Sequence, residues 1–307
     1  MRGYGVPFVI INPTSGGGRA GRLWPKVSKE LKKHIGAFHY EKTSEVGHAR
    51  LLAQHATSAG HSPIIAYGGD GTIHEVVNGM IDAEKKPCPK LGILNVGTGG
   101  DFVKSLGFPK SLKEQIQILE EGKSTNVDLG QVDYTNGHGK TERRVFVNIT
   151  DAGVGGLVVR HVQGIHKIFG RKLAYLVSTV RSYLSWKACD IEIETESTEI
   201  LEKTIAVVIA NGKFFGGGMP IAPKADLSDG YFEIIKIQSM NPFYIPFFLA
   251  FLYAGQLIRL PHVQSDRVKK MTLRSKNSVP LDIDGEPIGF LPATFTILPQ
   301  QLQVISK

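Results

Sequence analysis

Several carboxylates in this chain stand beside glycines, where the backbone can turn sharply and approach a ligand. They are Asp70 in Gly68-Gly69-Asp70-Gly71-Thr72, Asp101 closing Gly97-Thr98-Gly99-Gly100-Asp101, and Asp284 and Glu286 on either side of Gly285. Glycines remove the Cβ barrier to unusual backbone angles, and a helix that follows such a turn presents unpaired N–H groups to phosphate oxygens. A carboxylate among them would repel a bare anion, but it is in place if Mg²⁺ lies between the two. The chemistry implied is that of a metal-bound nucleoside triphosphate. The plainer alternative is a strand-to-helix connection in which Asp70 or Thr72 only caps the helix.

The elements that must hold these residues follow from the pattern around them. Ile64 to Tyr67 reads as a buried strand, with an amphipathic helix starting near Thr72 and carrying Glu75 in its first turn. Val6 to Ile11 is another apolar run, followed by Asn12-Pro13-Thr14-Ser15-Gly16 and a helix expected from about Leu23 to Ile35. Ala37 to Glu41 is the next strand, after which Thr43 either caps a helix over Val46 to Ala59 or touches the ribose. Leu91 to Val96 is a further strand, running into the Gly97–Asp101 turn. Strand, glycine turn and helix recur, and in a doubly wound sheet the loops at the carboxyl ends of the strands converge on one crevice. Gly16, Gly18 and Gly21 also match the dinucleotide fingerprint G-x-G-x-x-G, with Glu41 following. Four residues separate the strand from Gly16, however, where a dinucleotide fold turns at once.

From about Val127 strand-like stretches dominate, and alternation such as Cys189-Asp190-Ile191-Glu192-Ile193-Glu194 marks half-exposed antiparallel strands. Residues 1–126 are therefore expected to form a Rossmann-like, doubly wound α/β nucleotide-binding domain. Residues 127–307 are expected to form a β-rich sandwich, with a tail that packs back on the first domain. One long amphipathic helix is expected over Ile165, Ile168, Phe169, Leu173, Leu176, Val177, Val180, Tyr183 and Leu184, with Lys167, Arg171 and Arg181 on its other face. Such a stripe ordinarily fills a core. Together with Phe243 to Leu257 it could instead wall an apolar slot for acyl chains and seat the protein on lipid.

The chain carries a net charge of +8, which favours anionic partners, yet shows no nucleic-acid module signature. Cys88 and Cys189 form no ligand pattern, so a reduced, cytoplasmic setting is expected. Met1 to Pro13 reads as a first strand rather than a leader. The run Phe243 to Ala254 is too short to span a bilayer and is interrupted by Pro246.

Gly-Gly-Asp-Gly-Thr at 68–72 resembles the nucleotide loop shared by diacylglycerol, sphingosine and NAD kinases and phosphofructokinases. Asn12-Pro13-x-Ser15-Gly16, Gly97-Thr98-x-x-Asp101 and the run from Asn211 through Asp226-Leu227-Ser228-Asp229-Gly230-Tyr231 resemble the diacylglycerol kinase catalytic-domain family in particular. Asp284-Gly285-Glu286 resembles that family's Asp-Gly-Glu motif, and the ordered set covers nearly the whole chain.

The resemblance implies an ATP- and Mg²⁺-dependent kinase acting on a lipid hydroxyl, with its site in a cleft between two domains. Asn12 to Gly16, Thr43, Gly68 to Thr72, Glu75, Gly97 and Thr98 would bind nucleotide. Asp70 and Asp101 would support the catalytic Mg²⁺. Asp226, Asp229 and the Tyr231 carbonyl would hold a structural Mg²⁺, and Asp284 or Glu286 would be the base. Gly100 stands where the family usually has Asn. The partner implied is a lipid at a membrane surface, met peripherally, and the sequence leaves open whether two copies form a homodimer. The rival readings are an NAD kinase-like enzyme with a soluble substrate and a nucleotide-binding regulator without turnover.

Overall fold

The computed structural model describes residues 5–136, 139–169 and 171–307; the side chains of 163–169, 171–176 and 242 are outside that description. The chain divides into two compact units, Met1–Asp128 with Pro299–Lys307, and Leu129–Leu298. The last nine residues, Pro299–Lys307, belong to the first unit.

In the first unit β1 (Phe8–Ile11), α1 (Arg19–Ile35), β2 (His39–Lys42), α2 (His48–Ser58), β3 (Ile64–Gly68), α3 (Asp70–Asp82), β4 (Leu91–Asn95), α4 (Asp101–Ser105) and α5 (Leu112–Glu121) alternate. The sheet is parallel with neighbours β4-β3-β1-β2, and Val304 near the chain end pairs with Leu91 on its outer side. β1, β3 and β4 are apolar because both faces are covered. One face packs Trp24, Leu31, Ile116 and Leu119 of α1 and α5 against Val9, Ile65, Tyr67 and Leu94. The strand order 2-1-3-4 is that of the flavodoxin-like doubly wound sheet, not the dinucleotide order 3-2-1-4, and it reverses direction between β1 and β3.

α1 begins at Arg19, earlier than its apolar stripe suggests, because Gly16, Gly17 and Gly18 take successive left-handed conformations that bring the chain into the helix. Likewise α3 begins at Asp70, with Gly69 extended before it.

The second unit contains most of β5 (Ser124–Thr135), then β6 (Thr141–Phe146), β7 (Ile149–Gly153), α6 (Val154–Phe169), α7 (Arg171–Ser185), β8 (Cys189–Thr195), β9 (Glu199–Ala210), β10 (Phe232–Gln238), α8 (Ile245–Tyr253), β11 (Val263–Val268), β12 (Lys270–Arg274), β13 (Pro280–Ile283) and the first part of β14 (Glu286–Ile305). Two long strands change partners along their length. β9 pairs with β8 over Glu199–Thr204 and with β7 and β10 further on, and β14 pairs with β13 and then β12. Strands that switch layers in this way form the corners of a packed β structure. Its main core holds Phe146, Phe232, Met271, Leu281 and Phe295.

The single helix expected near 165–184 is two helices, α6 and α7. Of its stripe, Ile165, Ile168, Phe169, Leu173 and Leu176, with Lys167 and Arg171, lie outside the described side chains. Val177 and Leu184 are exposed.

Candidate active site

In the first unit three glycine turns meet at the carboxyl ends of β1, β3 and β4. Asn12 Nδ2 donates to Thr72 Oγ1 at 3.0 Å, tying the first turn to α3, while Asn12 Oδ1 accepts the Thr14 N–H and hydroxyl at 3.1 and 2.8 Å. The N–H groups of Val96 and Gly97 donate to the Gly68 carbonyl at 2.8 and 3.2 Å. The approach is so close that a Cβ on Gly97 would lie 2.7 Å from Gly69 Cα, and one on Gly16 would lie 2.5 Å from the Val96 carbonyl oxygen. Only glycine permits this packing without a shift of the backbone.

Asp70 is the latch between two of these turns. Its Oδ2 accepts the Gly100 N–H at 2.8 Å and its Oδ1 the Phe102 N–H at 3.4 Å, satisfying donors at the start of α4. This gives Gly100 a role its side chain does not need. The residue is left-handed, and a Cβ there would lie 2.4 Å from Asn95 Nδ2, so the backbone N–H makes the contact to Asp70. Asp101, almost fully buried, accepts Lys104 Nζ at 3.2 Å. Thr98 is exposed on the same turn.

Glu75 reaches from α3 to the start of α2. Its two oxygens accept the N–H groups of Gly47 and Ala49, each at 3.0 Å, so it caps α2 and fixes the segment that follows β2. Thr43, in that segment, is held by its own N–H on the Ile11 carbonyl at 2.8 Å. The donors around Asp70 and Asp101 are oxygen groups and oriented backbone N–H, which suit a hydrated hard cation and phosphate oxygens.

In the second unit Asp284 sits in the turn between β13 and β14 with φ of 49°. Its carboxylate accepts three backbone N–H groups, from Val147, Asn148 and Ile149, all at 3.0 Å, and its own N–H donates to the Ile149 carbonyl at 2.9 Å. Glu286 is half-buried at the start of β14, on the far side of Gly285.

The Asp226–Tyr231 turn closes on protein groups. Asp226 Oδ1 accepts the Ser228 N–H and hydroxyl at 3.0 and 2.8 Å, and Asp229 Oδ1 accepts the Tyr231 N–H at 3.0 Å. Asp229 Oδ2 is paired with the Arg267 guanidinium, which also lies over the Tyr231 ring beside Lys269. Arg267 supplies the positive charge that a cation would bring, and among the described residues no group of three or more His, Cys, Asp or Glu side chains is arranged to hold a metal. No step below depends on a cation at this turn.

One pair of acids was not picked out in the sequence. Asp151 on β7 and Asp282 on β13 are register partners, both buried, and each carboxyl acts on the other. Burial pushes the Asp151 carboxyl up to about 6. Burial, then the Asp151 charge, hold Asp282 well above the ordinary carboxylate range. Asp282 lies between Leu281 and Ile283 while Asp151 follows Thr150, and neither run sets its acid apart in the sequence.

The chain thus combines a parallel α/β unit, whose glycine turns converge with fixed carboxylates, and a β-rich unit. The diacylglycerol kinase catalytic domain family matches residues 7–132, and the YegS C-terminal NAD kinase beta sandwich-like domain matches 148–306. The chain is 30% identical to a diacylglycerol kinase of Staphylococcus aureus over 97% of its length and 91% of the relative's. It is 28% identical to one of Staphylococcus carnosus over 96% and 93%. A solved structure described as a diacylglycerol kinase of Bacillus anthracis superposes with TM-score 0.75 at 21% identity, covering 100% of this chain and 98% of that one. Yeast NADH kinase superposes with TM-score 0.56 at 11% identity, covering 99% and 83%. The chain belongs to the diacylglycerol kinase catalytic-domain family and is a kinase.

Proposed function

We propose that this kinase transfers the γ-phosphoryl group of ATP, with Mg²⁺, to the hydroxyl of a lipid, diacylglycerol or a close relative. The observation that carries the reading is the mutual contact of the three glycine turns with Asp70 and Asp101 among them. Asn12 to Gly16, Gly68 to Thr72, Gly97 and Thr98 offer backbone N–H and hydroxyl groups to the nucleotide, and Asp70 and Asp101 support the cation. When bound, Mg²⁺ neutralises the phosphate oxygens as charge shifts on them. Glu75 serves by holding the segment that includes Thr43.

The acceptor hydroxyl oxygen bonds to the γ-phosphorus as the bridge to the β-phosphate breaks, and its proton passes to a carboxylate. Asp284 is committed to three backbone N–H groups, which supports Glu286 as that base.

The lipid is met at a membrane surface. From Asn241 to Gly255 there is no charged residue, and α8 is apolar on every side yet only half covered. Ile245 and Leu252 enter the core while Phe247 is 58% exposed, and Phe243 ahead of it 78%. Beside them Tyr244, Phe248, Phe251, Leu260 and His262 line a cavity of about 360 Å³, within the size range of ligand sites. A helix of that kind rests in a lipid interface with its outer aromatics among the headgroups. Among the described residues no helix is long and apolar enough to cross a bilayer.

The test is incubation with labelled ATP and a total lipid extract, with NAD as a soluble control acceptor. Label is expected in a lipid, and Glu286→Gln is expected to lower turnover by about 10²- to 10⁴-fold with ATP affinity unchanged. Label in NAD, or no labelled lipid while ATP is consumed, overturns the reading. Full activity of Glu286→Gln overturns the base assignment.

A further inference from the structure

Asp151 and Asp282 are unused by the reaction as drawn, and their surroundings are unusual for acids. Both are about 5% exposed and face each other across β7 and β13. Asp151 accepts the N–H groups of Gly155 and Gly156 in the first turn of α6, and its carboxylate packs directly on Gly155, where an added Cβ would lie 1.6 Å from Oδ2. Asp282 Oδ2 accepts the Gly285 N–H at 3.2 Å, and the Asp282 carbonyl accepts the Thr150 hydroxyl. One oxygen of each acid, Asp151 Oδ1 and Asp282 Oδ1, is buried with no N–H or O–H of another residue donating to it.

Two buried carboxylates in contact do not both carry charge, and a buried acceptor without a donor is costly. A single proton resolves both problems. Placed on Asp282, it gives the pair a donor and leaves one charge in place of two. The charge then rests on Asp151, which has the two helix N–H groups to stabilise it. The charged groups acting on Asp282 are Asp151 and Asp284, both acidic. β9 contributes apolar Val208 opposite Asp151, α6 contributes the glycine N–H groups, and Arg160 of α6 lies over the Phe290 ring.

We infer that Asp151 and Asp282, sharing one proton, are positioning residues that hold the Asp284-Gly285-Glu286 turn in its working geometry, and that loss of this proton releases the turn. The inference rests on the function proposed above for Glu286. The turn is clasped from two sides, by Asp284 on the Val147–Ile149 amides and by Asp282 on the Gly285 amide. When the shared proton leaves, Asp282 becomes a second buried anion beside Asp151 and near Asp284, and repulsion favours an opened turn. The pair's macroscopic titration then appears as an alkaline limb in turnover. Both acids are held above the ordinary carboxylate range, so the folded chain binds more protons than the unfolded one. Its stability accordingly falls as pH rises from that range through about 6, the Asp151 value, and onward.

The experiment compares wild type, Asp282→Asn and Asp282→Ala by three readouts. The pH profile of turnover tests the role in the reaction. Amide hydrogen exchange over 284–287 reports on the turn, and the infrared band of a protonated carboxylic acid at pH 7 reports on the proton. Asn has the shape and donor of the protonated acid, so Asp282→Asn is expected to keep turnover within about twofold at pH 6, keep the turn protected, lose the infrared band and lose the alkaline limb. Asp282→Ala is expected to lose turn protection and about 10- to 100-fold in turnover, as misplacement of a reacting group does. A wild type without the band at pH 7, an alkaline limb unchanged in Asp282→Asn, or full protection of the turn in Asp282→Ala would each overturn the inference. Exchange and infrared do not depend on the acceptor. Failure to phosphorylate any lipid, with band and protection as expected, therefore overturns the lipid kinase reading and leaves the proton-sharing pair standing.

Discussion

Replacing Asp284 by Asn separates a structural acid from a chemical one. In the wild type Oδ1 takes the Asn148 and Ile149 N–H groups and Oδ2 takes that of Val147. Asn can keep the first two on its amide oxygen, but its NH₂ then meets the Val147 N–H, donor against donor. One hydrogen bond to a charged acceptor is lost, worth about 1.5–3 kcal/mol. The backbone adds little, since Asn tolerates the φ of 49° found here. In a unit of about 170 residues a loss of about 2 kcal/mol lowers the melting temperature by about 4–8 °C. Asp284→Ala removes all three bonds and puts a less tolerant residue in the left-handed region, so its loss is larger, about 3–5 kcal/mol after water reaches the freed amides. Scanning calorimetry of Asp284→Asn, Asp284→Ala and Glu286→Gln, with turnover measured below each transition, gives the comparison. The expected pattern is graded destabilisation in the first two and an unchanged melting temperature in the third. An Asp284→Asn protein as stable as wild type but inactive would refute the structural reading and return Asp284 to consideration as the base.

Gly97→Ala, whose Cβ would lie 2.7 Å from Gly69 Cα, should weaken ATP binding at least tenfold by calorimetric titration, whereas Gly69→Ala, with its nearest contacts at 3.3 and 3.4 Å, should cost several-fold less. Overpacking at the tighter position is worth about 1–3 kcal/mol. Chelation with EDTA should leave the wild-type melting temperature unchanged at the Asp226–Tyr231 turn, and Arg267→Ala should lower stability by no more than about 1 kcal/mol because the pair is solvent-exposed. A fall on chelation would place a cation at that turn. Phe243→Ser with Phe247→Ser should reduce sedimentation with anionic lipid vesicles while leaving the melting temperature within about 1 °C, since both side chains are exposed and surface changes cost little. Vesicle binding equal to wild type would remove α8 from the membrane contact.

The first unit was largely legible because its signals are local. β1, β3 and β4 are continuous apolar runs ended by glycines, and a parallel sheet with both faces covered requires that pattern. The convergence of the turns followed from the fold class before any distance was known. The strand order was not legible, since periodicity says where strands are and not which are neighbours. Nor was the placement of Glu75. It lies in the first turns of α3 beside the nucleotide motif, but its partners are the amides of another helix's start, 28 and 26 residues away in the chain.

The second unit shows why carboxylates are harder to read than glycines. The run Val145 to Ile149 has the composition of one strand, yet β6 ends at Phe146 and β7 begins at Ile149. The interruption falls where the Val147, Asn148 and Ile149 amides leave the ladder to meet Asp284, some 136 residues later. Propensity has no term for an acceptor supplied from so far along the chain, and it outweighs the ladder because a charged acceptor binds N–H more strongly than a carbonyl does. The same reasoning explains Asp151 and Asp282. Each is an ordinary polar residue in its own strand, and each has meaning only once antiparallel pairing brings the two together. Their types still carried information. A strand buried on both faces has no solvent side on which to place an acid, so an acid there must have a partner, a proton or both. Asp282 meets that condition once β13 is seen buried and paired on both sides, and the turn it precedes is the one that presents Glu286.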